Sequence, residues 1–223
     1  MKTLGCGVCG VALVLMVVAG VLAGGGTGQG EVKALPPPHK AGGLALEEAI
    51  AERRSVRAFL DEPLTHEEVG QLCWAGQGIT DPRGHFRAAP SAGALYPLEL
   101  YVVSAGGVDH YEPQKHRLKR HRSGDRRGAV QEAALHQDSV GQAPACFVIA
   151  AVVERTARKY GPRAERYCFI EAGHVAQNLL LQATSLGLGG VPVGAFSDKK
   201  VARALDLPQG QRVLYLVPMG RPR

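Results

Sequence analysis

A long apolar helix in the C-terminal half constrains the fold more than any other part of the sequence. Residues 165–186 repeat apolar side chains at helical spacing, and these side chains point to more than one side of the helix. Such a helix needs several packing partners, so we expect it at the centre of the structure. The continuous apolar run at residues 145–153 indicates a strand that is buried on both faces.

The other periodic segments mix helices and strands without a regular alternation. Thr65-His66-Glu67-Glu68 has the form of a capping box and indicates that a helix begins there. The further predicted helices and strands cover residues 44–54, 125–138 and a short stretch after Ser197 (helices), and residues 98–103, 108–111, 117–119 and 212–218 (strands). Since the sequence has no βαβ pattern and no internal repeat, we predict one α+β domain whose central sheet is flanked by helices.

The N-terminal residues 1–23 are typical of a signal peptide. Lys2 precedes an apolar run from Val8 to Leu22, and the small residue Ala23 suits a cleavage site. The alternative is an uncleaved membrane anchor, because residues 4–22 are barely long enough to cross a bilayer. In either case we expect an exported protein, periplasmic or extracellular. Residues 24–43 are rich in Gly and Pro and predict a linker, which leaves residues 44–223 as the folded domain.

The composition and the cysteines exclude several other classes of protein. With 45% apolar and 21% charged residues the chain has globular proportions, and no second apolar stretch follows the first. Cys73, Cys146 and Cys168 stand in apolar surroundings and predict buried thiols, with one disulfide left open for an oxidising compartment. The eight His are scattered without metal-ligand spacing, so we expect no metal site.

A basic run at residues 115–122 is the feature that would suit an anionic partner. On a single face these cations would form a phosphate-binding patch. No aromatic residues are interleaved with them, so we favour a solvated hairpin and expect no nucleic-acid partner.

Three separated segments combine arginines with small residues that expose the backbone. Residues 53–57 read Arg-Arg-Ser-Val-Arg, and guanidiniums are forked donors that suit phosphate oxygens. Residues 89–97 and 187–196 carry small residues and glycines, beside which a flat ligand can approach the backbone closely. The structural alternatives are a solvated helix end, a tight turn and a glycine helix stop, respectively.

Taken together, these segments resemble the nitroreductase-like flavoprotein family, and most of all its SagB-type dehydrogenases. The resemblance rests on Arg-Arg-Ser-x-Arg-x-Phe, Pro-Ser-Ala-Gly-Ala-x-Tyr-Pro, Val-Pro-Val-Gly-Ala-Phe and the terminal Pro-Met-Gly-Arg, and it spans residues 44–221. It implies a nitroreductase-like fold, an FMN cofactor and an oxidoreductase activity. It also implies a homodimer in which each FMN site draws on both chains.

The resemblance further implies which residues hold FMN. Arg53, Ser55 and Arg57 match the positions that hold its phosphate, ribityl chain and pyrimidine edge, and Arg54 lies among them. Arg221 matches the C-terminal phosphate ligand.

Two loops match the segments that meet the flavin ring. One loop, implied to approach from the other subunit, comprises Pro90, Ser91, Ala92 and Gly93. Ala94 stands where many relatives have Asn, so one side-chain contact is missing, as in SagB-type sequences. The other loop, whose backbone amide is implied to face N5, comprises Pro192, Val193 and Gly194.

The candidate catalytic residues are Lys159 and Tyr160. They fall where SagB-type azoline oxidases carry a Lys-Tyr proton-transfer pair, although a plain helix end would explain them as well. Glu171 and His174 are either an acid–base pair or a structural pair on the long helix. The substrate stays open between a small molecule reduced at the expense of NAD(P)H and an azoline in a modified peptide. A redox-inert exported flavin-binding protein is the alternative from another class.

Overall fold

The computed structural model of the protein describes residues 1–2, 30–83 and 85–223. Almost all of the predicted export segment lies outside these residues. Within the described ranges, no helix combines the length and the apolar character needed to span a membrane.

An antiparallel sheet forms the middle of the domain, and its strands do not follow their order in the chain. In the described residues its strands are β1 (Val32–Ala34), β2 (Leu98–Ser104), β3 (Gly107–Glu112), β4 (Arg117–Ser123), β5 (Ala145–Ala151), β6 (Gly189–Gly190) and β7 (Arg212–Gly220). They lie in the order β1-β4-β3-β2-β5-β7-β6. Every residue of β5 is buried between β2 and β7, which confirms the strand that its unbroken apolar run predicts.

Seven helices of the described residues pack around this sheet. They are α1 (Leu46–Glu52), α2 (His66–Gln77), α3 (Arg127–Ala133), α4 (Asp138–Gly141), α5 (Val153–Tyr160), α6 (Ala164–Ser185) and α7 (Asp198–Ala204). The predicted capping box is confirmed, because the Thr65 hydroxyl accepts from the Glu68 N–H at 3.1 Å and the Glu68 carboxylate accepts from the Thr65 N–H at 2.7 Å. The single helix predicted at residues 125–138 is wrong. Leu135 and His136 adopt positive φ angles of 57° and 58°, which separate α3 from α4.

The long helix α6 lies at the centre, as its sequence predicts. It packs against α1, α2 and α5 and against the sheet, and it buries Val175, Leu179 and Ala183 completely. Its first turns keep an apolar surface, because Phe169 and Ile170 are 46% and 50% exposed.

Residues 30–43 are not a free linker, which corrects the predicted start of order at Leu44. β1 pairs with β4, and Leu35 is buried in the core at 7% exposure. His39 exchanges two hydrogen bonds with the side chain of Gln71, at 2.8 and 3.0 Å. The segment is ordered because the edge of β4 offers backbone groups that a passing strand can pair.

The basic run forms the predicted β3–β4 hairpin, but it is not solvated throughout. Alternation along β4 leaves Lys119 exposed and buries Arg120 to 7% exposure. Arg120 pairs with Asp109 at 3.1 Å and donates to the Gly106 carbonyl at 2.7 Å. Its cation is therefore a structural one, held inside the hairpin.

The cysteines of the described residues are buried free thiols. Burial raises the pKa of the Cys146 thiol to about 12 and raises that of Cys168 as well. These thiols stay protonated at neutral pH, so they are packing residues rather than nucleophiles.

Candidate active site

The structure brings the arginine segment at residues 53–57 beside the glycine-rich segment that follows α6. Ser55 forms a parallel bridge with Gly190, and the Val56 N–H donates to the Gly190 carbonyl at 3.1 Å. A methyl group at Gly189 would lie 2.5 Å from the side chain of Val56, so only glycine permits this approach. Val193 then pairs with the middle of β7, which fixes the predicted Pro192–Gly194 loop.

The end of β7 brings Arg221 to the same edge of the domain. The Leu60 N–H donates to the Arg221 carbonyl at 2.9 Å. The Arg221 guanidinium contacts Glu68 at 2.8 Å and Glu62 at 3.4 Å. Among the described residues its Nη1 atom is buried and has no hydrogen-bond partner. This donor therefore lacks the acceptor that buried donors ordinarily have.

The four residues at the end of α1 differ in their availability. Ser55 and Arg57 are exposed, and Arg53 is half-buried. Arg54 donates to the carbonyls of Ala51 and Arg53 at 2.7 and 2.9 Å. Arg54 therefore satisfies the carboxyl end of α1, which is the structural alternative given above for a basic helix end.

A second group forms around the predicted loop at residues 90–93. Gly93 has a φ of 63°, and a methyl group there would lie 2.9 Å from both the Lys159 Nζ and the Tyr160 hydroxyl. The Lys159 ammonium lies 5.4 Å from the centre of the Tyr160 ring. Tyr160 in turn packs edge-on against Tyr167, with ring centres 4.8 Å apart. The structure therefore brings the candidate catalytic pair against the loop.

Ser91 lies in the middle of that loop and turns toward the protein. Its hydroxyl accepts from the Tyr96 N–H at 2.9 Å and lies near the Glu171 carboxyl on α6.

Glu171 is the candidate residue whose surroundings in the structure differ most from those that the sequence predicts. Sequence spacing pairs it with His174, but the structure separates the two. His174 is exposed, with Nδ1 3.4 Å from the Pro90 carbonyl, whereas Glu171 is 2% exposed. Burial raises the pKa of Glu171 to about 7, although the nearby Ser91 hydroxyl and the charge of Arg87 lower it.

The raised pKa of Glu171 makes the stability of the fold depend on pH. The folded-state pKa of about 7 exceeds the ordinary 4.5, so the protonated carboxyl stabilises the fold below pH 4.5 and this contribution is lost as the pH rises through 7. At about 1.36 kcal/mol per unit the loss is roughly 3 kcal/mol. We expect Glu171→Gln to be more stable than wild type by about this amount at pH 8 and by almost nothing at pH 4, measured by urea unfolding. A constant difference across this range would contradict the assignment.

The two groups occupy different places on α6. Pro90 and Ser91 contact the helix at His174 and Glu171, whereas Gly190 lies against Leu180. At a rise of 1.5 Å per residue, Glu171 and Leu180 are about 13 Å apart along the axis. Across the residues that the structure describes, no hydrogen bond, ion pair or bridge joins the two groups. One chain therefore keeps the two groups of candidate residues apart.

Comparison with known proteins identifies the class to which this arrangement belongs. Residues 50–221 match the model of the Nitroreductase family, so the chain belongs to this family of oxidoreductases. A Methanocaldococcus jannaschii protein that bears the name nitroreductase is 44% identical over 184 residues, which cover 80% of this chain and 91% of the relative. A crystal structure of a Ralstonia eutropha protein of the same name has a TM-score of 0.79 at 28% identity and covers 86% of this chain and 90% of its own.

Two further similarities bear on activity. The microcin B17-processing protein McbC of Escherichia coli is 27% identical over 140 residues, which cover 58% of this chain and 52% of McbC. The structure of the NADPH:FMN oxidoreductase of Vibrio harveyi in complex with NAD+ has a TM-score of 0.60 at 25% identity, covering 79% of this chain and 68% of that protein. The nitroreductase-like fold implied by the sequence motifs is thereby confirmed.

Proposed function

We propose that the protein is an FMN-dependent oxidoreductase that works as a homodimer. The observation that carries the proposal is the division of the candidate site into two half-sites on one chain. Arg53–Arg57, Pro192–Gly194 and Arg221 form the first, and the 90–93 loop with Lys159–Tyr160 forms the second. A second copy would complete each site by placing its 90–93 loop opposite the arginines of the first.

The residues of the first half-site suit the phosphate of FMN. Arg57 and Ser55 are exposed, and the buried Nη1 of Arg221 lacks an acceptor among the described residues. A phosphate oxygen accepts such a bond well, because both partners are charged. We therefore assign Arg53, Ser55, Arg57 and Arg221 to the phosphate and ribityl chain, with Arg54 shaping the end of α1.

Bound FMN supplies two-electron chemistry, in which a hydride is accepted from a donor such as NADPH and later passed to an oxidised substrate. Pro192 has no N–H and the Val193 N–H donates to the Leu216 carbonyl at 2.8 Å, so the Gly194 N–H is the one that would orient the ring, without a catalytic side chain. The arginines at residues 53–57 add positive charge where negative charge grows on reduction. Lys159 and Tyr160 hold or move a proton at the substrate.

Two substrate classes are supported by different similarities. Likeness to the Vibrio harveyi oxidoreductase favours NADPH as the donor and a small organic acceptor. Likeness to McbC, together with the Lys159–Tyr160 pair beside Gly93, favours SagB-type oxidation of azolines in modified peptides. Of the two, we propose the NAD(P)H-linked activity as the function of this protein.

An anaerobic reduction experiment tests the proposal. NADPH is mixed with the FMN-loaded protein, the flavin absorbance is followed, and a nitroaromatic or quinone acceptor is then added. We expect bleaching by NADPH and recovery with the acceptor. If dithionite alone bleaches the flavin and neither acceptors nor azoline peptides are turned over, the protein is a redox-inert flavin binder and the proposal fails.

Exposed apolar side chains on neighbouring helices supply a surface for the second copy. Leu46 and Ile50 on α1 are 61% and 56% exposed, and Phe169 and Ile170 on α6 are 46% and 50% exposed. Leu44, just before α1, meets Ser185 at the C-terminal end of α6, whereas Phe169 and Ile170 lie in its first turns, so the two pairs lie toward opposite ends of this helix. Large exposed apolar side chains of this kind are typical of interface surfaces.

A charge placed on this surface should dissociate the dimer and release the cofactor together. We expect Ile170→Glu to be monomeric by light scattering and to lose most of its FMN, because burying an unpaired carboxylate is costly. Leu135→Glu is the matched control, since Leu135 is 68% exposed and belongs to the α3–α4 connection. A monomeric Ile170→Glu protein with full flavin content would contradict the shared site.

We also propose that the chain is exported and that its N-terminal segment is cut after Ala23. The proposal is supported by the basic start and apolar run of residues 1–23. Mass spectrometry of the protein from its producing cells should then find Gly24 as the first residue. A mass that includes Met1 would instead support the membrane anchor.

A further inference from the structure

The 90–93 loop runs directly into a turn with a strained backbone. Gly93, Ala94 and Tyr96 have φ angles of 63°, 52° and 47°, a left-handed region that residues other than glycine rarely adopt. Such residues keep this conformation only where the surrounding structure holds them, and they cluster at functional sites. The contacts that hold Ala94 and Tyr96 are therefore candidates for a functional role.

Neighbouring residues of the same segment fix the shape of this turn. The Ser91 carbonyl accepts from the Ala94 N–H at 3.0 Å, and the Ser91 hydroxyl accepts from the Tyr96 N–H at 2.9 Å. The Tyr96 hydroxyl accepts from the Arg87 N–H at 3.1 Å, and the Arg87 guanidinium lies 4.8 Å from the centre of the Tyr96 ring. These contacts are local, so they fix the conformation of the turn and leave its position to contacts with other elements.

Arg155 joins the turn to the helix that carries the candidate catalytic pair. Its Nη1 donates to the Tyr96 carbonyl at 3.2 Å. Lys159 follows Arg155 by four residues on α5, so the two side chains lie on the same face of the helix, one turn apart. Gly93, three residues before Tyr96, lies against the tips of Lys159 and Tyr160. A single turn of α5 therefore contacts the strained segment at two points.

Glu99 of β2 holds the Arg155 guanidinium in this position. Arg155 Nη2 lies 2.5 Å from Glu99 Oε1, and the other carboxylate oxygen hydrogen-bonds His110 Nε2 at 2.7 Å. Burial acts to raise the pKa of Glu99, but the hydrogen bond with His110 and the charge of Arg155 together lower it, so Glu99 is a carboxylate at neutral pH. Although the Arg155 side chain is 42% exposed, its guanidinium is thus fixed against the sheet.

We propose that Arg155 is a positioning residue that sets the place of Gly93 against the Lys159–Tyr160 pair. It does so by fixing the Tyr96 carbonyl, while Glu99 holds its guanidinium against the sheet. This inference rests on the proposed function, because it concerns the loop assigned to the flavin ring and the pair assigned to proton transfer. It adds to the candidate site an arginine that belongs to none of the sequence motifs.

Hydrogen exchange tests whether Arg155 holds the loop. In protein incubated with excess FMN, we expect amide exchange of the peptide covering residues 89–97 to be about tenfold faster in Arg155→Ala than in wild type. This is the fold-change for losing one hydrogen bond from a charged donor. Arg158→Ala is the matched control, because Arg158 is an exposed cation on the same helix, and its exchange should equal that of wild type.

Stopped-flow kinetics tests whether the position of the loop matters for the reaction. Reduction of a quinone takes a hydride from the reduced flavin and a proton from a neighbouring acid, so it depends on the Lys159–Tyr160 pair, whereas flavin reduction by NADPH does not. We expect Arg155→Ala to lower the rate of flavin reoxidation by a quinone about 100-fold, the cost of misplacing a group by about 1 Å, and to leave the rate of reduction by NADPH unchanged.

Two further arms distinguish positioning from stability. Free guanidinium at a non-denaturing concentration should restore part of the reoxidation rate that Arg155→Ala loses. Glu99→Gln alone should lower this rate as well. Its addition to Arg155→Ala should lower the rate no further, because the two side chains act as one unit.

The outcomes separate the positioning role from the proposed function. Equal exchange of residues 89–97 in Arg155→Ala and Arg158→Ala overturns the role whatever the activity. Wild-type reoxidation in Arg155→Ala, or an equal loss in both half-reactions that guanidinium does not restore, overturns the role and leaves the proposed function standing. If wild type reduces no acceptor, the proposed function fails, and the exchange experiment alone then decides whether Arg155 holds the loop.

Discussion

Lys159→Ala and Tyr160→Phe should each lower the turnover of an azoline substrate by about 10²–10⁴-fold, the usual contribution of a positioned acid or base. Dehydrogenation of an azoline releases one hydride to the flavin and one proton, and the proton needs an acceptor at the substrate. The tips of both side chains lie beside Gly93 in the loop assigned to the ring. Steady-state kinetics with a synthetic azoline peptide provides the measurement.

The same variants distinguish the two substrate classes. Flavin reduction by NADPH needs no proton transfer from Lys159 or Tyr160, so its rate should be unchanged in both variants. Arg158→Ala is the matched control, because Arg158 is an exposed cation on the same helix. Full azoline turnover in both variants would assign the pair to the structural helix end, and loss of FMN in both would assign it to cofactor binding.

Arg57→Ala and Arg221→Ala should each weaken FMN binding by about 10- to 150-fold. A charge-assisted hydrogen bond contributes roughly 1.5–3 kcal/mol, and ~1.4 kcal/mol corresponds to a factor of ten in affinity. Both proteins should be folded but pale, and excess FMN should restore their colour. Titration of the apoprotein with FMN, followed by fluorescence quenching, measures the effect.

The structure indicates which residues serve as controls for this experiment. In the basic hairpin Arg120 is buried and paired with Asp109, so the exposed Lys119 is the control cation, as Lys119→Ala. Glu68→Gln removes the carboxylate that contacts Arg221 and keeps the capping box of α2, since Gln also serves there. Neither control should weaken FMN binding. Wild-type affinity in both arginine variants, or loss of affinity in Lys119→Ala, would contradict the assignment of Arg57 and Arg221 to FMN binding.

The sequence predicts the parts of the fold whose local pattern agrees with their packing. The buried strand and the helix that begins after Thr65 are confirmed because burial and capping leave direct marks on residue type, although the strand ends at Ala151 and Val153 already begins α5. The break at Leu135 and His136 could not be predicted, since two positive φ angles at residues other than glycine are imposed by tertiary contacts. β1 was missed for a related reason, because a Pro-rich neighbourhood hides a strand that is ordered only by its partner β4.

The candidate site likewise has residues that the sequence predicts and residues that only the structure reveals. Motifs located Ser55, Gly93 and Lys159, but only the structure brings Gly93 against Lys159. Glu171 could not be ranked above His174 from the sequence, because α6 is apolar on several sides and its pattern does not define one inward face. The buried state of Glu171, and hence its raised pKa, follows from packing against the loop.

The flavin content of the purified protein tests the central claim most directly. An absorbance spectrum, followed by chromatography of the released chromophore, gives its identity and its ratio to the protein chain. We predict FMN in equimolar amount to the chain, either on purification or after incubation with added FMN. Protein that stays colourless after this incubation, or that retains FAD in place of FMN, would contradict the account.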